Sequence, residues 1–81
     1  MFTVYILYSS TFNKSYVGFT NDLEARFKSH NELGTKGWTI KFRPWKPIHT
    51  EEFDDKKEAL AREKWFKSGV GREYISREIL K

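Results

Sequence analysis

The chain has 81 residues, fifteen Lys and Arg against eleven Asp and Glu for a formal net charge of +4, and no cysteine. That length allows one domain with one modest core. Without cysteine there is no disulfide bracing and no thiolate–metal site, and no apolar run is long enough to cross a bilayer as a helix. The core must come from seven Phe, four Tyr and three Trp, with scattered Ile, Leu and Val. The N-terminus carries no basic, apolar and small-residue leader, so a soluble cytoplasmic protein is expected. The positive balance favours a polyanionic partner through phosphate contacts and counterion release.

Phe2, Val4, Ile6 and Tyr8 alternate with Thr3, Tyr5, Leu7 and Ser9, the period of a strand. Ser10 to Lys14 has turn chemistry, with Asn13 the residue best suited to a left-handed conformation. Ser15 to Thr20 alternates again, so the first twenty residues read as a β-hairpin. A loop of two or four residues pairs odd positions of one strand with even positions of the next. Tyr5, Tyr16, Gly18 and Thr20 then share one face, while Phe2, Val4, Ile6, Val17 and Phe19 form a core on the other.

Asn21, followed three residues later by Glu24, has the form of a capping box opening a helix. Leu23, Arg26, Phe27 and His30 fall on one stripe of it, and an arginine on a core-facing stripe needs an anionic partner. Gly34 is a natural stop. Residues 34–47 hold four cations, two Trp and no acid, and Pro44 and Pro47 argue against a central strand there. Ile48 to Phe53 reads as a third strand. Asp54 or Asp55 then opens a second helix, with Glu58 helping to cap it and Ala59, Leu60, Glu63 and Phe66 facing inward. Gly69 and Gly71 interrupt before a short last helix whose Tyr74, Ile75, Ile79 and Leu80 pack back.

Each polar residue singled out has a plain structural explanation. Arg26 and Glu63 can pair with each other across a helix edge, and Tyr5 and Tyr16 can be half-buried strand aromatics. His30 can cap a helix end, and His49 can be structural or exposed. The Trp-bearing loop can fill a gap with Trp38 or Trp45; interleaved cations and aromatics also suit single-stranded or distorted nucleic acid. A non-catalytic nucleic-acid-binding module using Lys14, Lys36, Lys41, Arg43 and Lys46, or a protein–protein adaptor using the aromatic loop, would fit the same composition.

The order of the motifs resembles the GIY-YIG endonucleases, and in particular the small stand-alone bacterial members. Thr3-Val4-Tyr5 is similar to the first signature element and Tyr16-Val17-Gly18 to the second. Asn21, Leu23, Arg26 and His30 fit the family's Asn-x-Leu-x-x-Arg-x-x-x-His pattern. Arg43-Pro44-Trp45-Lys46 and Glu51-Glu52-Phe53 look like the middle of the small proteins, and Ala59-Leu60-Ala61-Arg62-Glu63 is similar to the stretch bearing a metal-ligand glutamate. Thr3 and Val4 stand where the family has Gly and Ile, and no asparagine follows Asn31.

The resemblance implies an α+β fold over residues 1–81, a three-stranded antiparallel sheet flanked by helices. It implies a metal-dependent endonuclease that hydrolyses DNA phosphodiester bonds with Mg²⁺ or Mn²⁺, in repair or recombination, with RNA also open as a substrate. Glu63 would hold the metal and Arg26 would bind the scissile phosphate. Tyr5 and Tyr16 would position or deprotonate the attacking water, supported by His30. With no separate targeting domain, selectivity is expected to come from the domain itself, a protein partner or a dimer.

Overall fold

Strand β1 (Phe2–Ser9) runs between β2 (Lys14–Thr20) and β3 (Lys46–Phe53) in one antiparallel sheet of order β2-β1-β3. The structure, a computed structural model, describes residues 1–28 and 41–80, without the side chains of Phe27 and Lys28. Helix α1 (Leu23–Lys28) follows the hairpin, and α2 (Lys56–Lys67) and α3 (Gly69–Tyr74) follow β3. The fold class is α+β, as expected. A π-helical turn (Ile75–Ile79) extends α3.

The hairpin has the inferred register. Ser9 pairs with Lys14 across a four-residue loop, Leu7 with Tyr16 and Tyr5 with Gly18. Asn13 takes the left-handed conformation (φ 53°), and its side-chain oxygen accepts a 2.7 Å hydrogen bond from the Tyr8 hydroxyl. Because β1 is central, both of its faces are covered: Val4, Tyr5, Ile6 and Leu7 are all buried. On one face Val4, Ile6 and Val17 meet Ala59, Phe66 and Ile75, with Phe2, Phe19, Tyr74, Ile79 and Leu80 packed around them. On the other, Tyr5 and Leu7 meet Trp45, with Tyr16, Leu23 and Phe42 alongside.

Several local expectations change. The third strand begins at Lys46 and includes Pro47, which an edge strand accommodates; the register shifts between Ile6 and Leu7, where β1 passes from His49 to Pro47. Helix α1 is capped by Asp22 and not Asn21: Asp22 Oδ1 accepts from the Ala25 amide at 3.2 Å. Asp55 caps α2, its Oδ1 accepting from the Lys57 amide at 2.9 Å. Leu60 is 39% exposed, so the inward stripe of α2 is Ala59, Glu63 and Phe66. Leu60 stands one residue beyond Ala59, about 100° round the helix and away from the sheet.

Gly69 and Gly71 lie inside α3; the break is at Ser68, whose extended backbone ends α2 and whose hydroxyl accepts from the Gly71 amide at 3.2 Å. A β-carbon on Gly71 would overlap the Trp65 carbonyl and lie 2.5 Å from Phe66 Cα. Gly71 is therefore a packing glycine that lets α3 touch α2, and not a helix stop.

Candidate active site

Tyr5 stands at the centre of the β1 face that carries Trp45. Its ring crosses toward β2, so that a β-carbon built on Gly18 would collide with the Tyr5 hydroxyl and sit 2.5 Å from Cζ. The glycine opposite Tyr5 in the register makes room for the phenol. Tyr16 lies beside it, ring centroids 6.3 Å apart and tilted by 35°. Trp45 is 3% exposed and 6.3 Å from the Tyr16 ring. The tryptophan immediately before β3 thus walls the tyrosine pair and fills the core; Trp38 lies outside the described residues.

Arg26 is set on the first turns of α1 by its connection to β2. The buried Thr20 hydroxyl accepts from the Asp22 amide at 3.0 Å and donates to the Asp22 carbonyl at 3.2 Å. That carbonyl accepts from the Arg26 amide at 3.1 Å. Arg26 itself is exposed and lines a cleft of about 290 Å³ with Thr20, Asn21, Asp22 and Ala25.

Glu63 projects from the inward stripe of α2, its side chain 17% exposed, 3.5 Å from Lys67 one turn on. Among the described residues Arg26 and Glu63 form no ion pair, so the simplest structural reading of the two does not hold. Instead both charges act on Tyr5. Burial raises the Tyr5 pKa most, the neighbouring Tyr16 and the Glu63 carboxylate raise it further, and the Arg26 guanidinium opposes them. Tyr5 therefore rests as a phenol, under the opposing influence of one cation and one anion.

Lys14 and Lys41 are exposed, Arg43 is half-buried, and Lys46 is exposed at the start of β3. The Lys14 ammonium stands 5.7 Å from the Phe42 ring centroid. His30 and Lys36 lie outside the described residues.

A polar cluster went unread in the sequence. Arg62 donates to both Glu51 oxygens (Nε at 2.8 Å, Nη2 at 3.2 Å), and Glu51 also contacts His49 Nε2 at 2.7 Å. The guanidinium carbon lies 4.5 Å from each of the Trp65 and Phe66 ring centroids. Burial pushes Glu51 up, but the hydrogen bonds and charges of Arg62 and His49 outweigh it, and its pKa falls below the ordinary value. The cluster ties α2 to β3 at the residue next to Glu63. Its signals were the two-residue spacing of His49 and Glu51 and the three- and four-residue spacing of Arg62 from Trp65 and Phe66.

Comparison with known proteins bears on the fold and the family. The family model for the GIY-YIG catalytic domain matches residues 1–74. A UPF0213 protein of Limosilactobacillus reuteri is 40% identical over 72 residues, covering 86% of this chain and 74% of that one. The UPF0213 protein YazA of Bacillus subtilis is 42% identical over 55 residues, covering 68% of this chain and 56% of its own length. The chain thus spans only a little over half of some of the relatives it matches. The solution NMR structure of a UPF0213 protein from Bacillus halodurans aligns with a TM-score of 0.56 and 29% identity, over 94% of this chain and 83% of that one. Sequence order, sheet topology and matched length agree, and the chain belongs to the GIY-YIG family, a family of nucleases, alongside the UPF0213 proteins.

Proposed function

We propose that this chain, as one domain, is a metal-dependent endonuclease that hydrolyses phosphodiester bonds in DNA. The observation that carries the reading is the placement of Tyr5: buried over Gly18, beside Tyr16, with the charges of Arg26 and Glu63 acting on it from opposite signs.

Each role follows from that placement. The Arg26 guanidinium, exposed above its cleft, suits the oxygens of a scissile phosphate and the charge that grows on them during displacement. Tyr5 enters as a neutral phenol, so its first function is to orient water or phosphate by hydrogen bonding. Its proton leaves more easily as positive charge gathers beside it, which Arg26 already begins to supply. Tyr16 completes the hydroxyl pair, and His30 would support it.

Glu63 is the residue to hold Mg²⁺ or Mn²⁺. Among the described residues no group of three His, Asp, Glu or Cys side chains gathers to hold a metal. A lone carboxylate suits Mg²⁺, which keeps several waters and takes its remaining ligands from substrate phosphate. When bound, such an ion polarises a phosphoryl oxygen and acidifies water. Among the described residues no helix is long and apolar enough to cross a membrane. Cytoplasmic repair or recombination, with a protein partner or a second copy for targeting, is the setting this reading suits.

The test is a cleavage time course on labelled duplex, single-stranded and branched DNA in Mg²⁺, Mn²⁺ or EDTA. Nicking that requires the ion supports the reading. Salt-sensitive binding without cleavage in either ion would replace it with a non-catalytic binding module.

A further inference from the structure

A second and larger cleft, about 490 Å³, opens between the outer strand β2 and the junction of α2 with α3. Val17 and Phe66, both buried, lie at its base. Lys14, Lys67 and Arg72 are its charged members, and no carboxylate lines it. Cations around a concave apolar base focus a positive potential, because the low-dielectric wall screens them poorly.

The cleft meets the candidate site at two points. Tyr16 lines it and also stacks beside Tyr5. Lys67 lines it and also stands 3.5 Å from Glu63. The Lys67 side chain remains 52% exposed in that pairing, so its ammonium can serve a second anion. Arg72 is exposed on the adjoining helix, with no carboxylate in the cleft to occupy it. Lys14 closes the hairpin end, its ammonium inclined over Phe42.

We propose that Lys67 and Arg72 bind backbone phosphates flanking the scissile one, so that the nucleic-acid strand runs along the cleft between β2 and the α2–α3 junction. This inference rests on the nuclease reading for its ligand, since only a polyanion extending beyond the reacting phosphate would reach from Tyr5 to Arg72. It assigns backbone contact to helix residues at the α2–α3 junction, apart from the cations that precede β3. Such contacts carry no base information, and binding through them is sequence-independent.

The experiment compares wild type, Lys67→Ala/Arg72→Ala and a charge-matched control, Lys56→Ala/Lys57→Ala, at the opposite end of α2. Affinity for fluorescein-labelled duplex and single-stranded oligonucleotides is measured in EDTA across a salt series, with thermal melting of each protein in parallel. The cleft variant should bind about tenfold more weakly, with a salt slope shallower by about one to two, while the control keeps close to the wild-type slope. A folded Lys67→Arg/Arg72→Lys variant should restore most of the slope. Equal losses in cleft and control variants, or an unchanged slope in the cleft variant, would overturn the inference and leave the nuclease reading standing. Failure of the wild type to bind any oligonucleotide would remove both.

Discussion

The Tyr5 hydroxyl occupies the space that a β-carbon on Gly18 would need. The two residues are direct partners across β1 and β2, so the glycine of the second strand and the tyrosine of the first form one structural unit. This links the two short sequence elements physically.

Gly18→Ala is the direct test of that unit. The added methyl forces the phenol out of a site that is also closed by Tyr16, 3.1 Å from the same β-carbon position. Overpacking of this kind costs about 1–3 kcal/mol. Thermal melting should show that loss together with strongly reduced cleavage, and Gly18→Ala/Tyr5→Phe should recover part of the stability but not the activity.

Tyr5 also predicts an alkaline signature. Its pKa in the folded protein is raised above the ordinary 10.0, so the fold resists its ionisation. The stability tied to the neutral phenol is complete below pH 10 and is lost as the pH rises through the folded-state value. Absorbance at the phenolate band should show a tyrosine step above the ordinary phenol range, and Tyr5→Phe should delete that step.

Glu51 gives the opposite sign. Its pKa is held below the ordinary 4.5, so its contribution is present above that value and is lost as the pH falls through the folded-state pKa. Urea midpoints measured from pH 7 to pH 3 should fall more gently for Glu51→Gln than for wild type. Arg62→Ala should lower stability at neutral pH, and because Arg62 adjoins Glu63, it should reduce cleavage by more than its loss of folded protein explains.

Phe66 is fully buried between the sheet, Trp65 and Tyr74, at centroid distances of 5.3 Å and 6.3 Å from the two rings. Phe66→Ala should cost about 3–5 kcal/mol, enough to unfold much of so small a domain at physiological temperature. Circular dichroism melts give the measurement.

The hairpin was legible in the sequence because strand period and loop length jointly fix which side chains share a face. That Tyr5, Tyr16 and Gly18 share a face follows from the parity of a two- or four-residue loop, and the four-residue loop then sets the register. The inward position of Glu63 was legible for a similar reason, being one turn from Ala59 and one turn from Phe66. Leu60 misled because apolarity was read as burial, although its angle about the helix turns it outward. Gly69 and Gly71 misled because glycine usually marks a stop; here Gly71 answers a close helix–helix approach that only tertiary structure creates. The Glu51–Arg62 pair joins residues eleven apart on a strand and a helix, and no local periodicity connects them. The Lys67–Arg72 cleft was invisible for the same reason, since it forms only where β2 meets the α2–α3 junction.

The decisive measurement is cleavage of labelled duplex and branched DNA by wild type and by folded Glu63→Gln, in Mg²⁺ and in EDTA. The proposed reaction requires ion-dependent nicking by wild type and its loss in the variant, with oligonucleotide binding retained. Cleavage that persists in Glu63→Gln at the wild-type rate would contradict it.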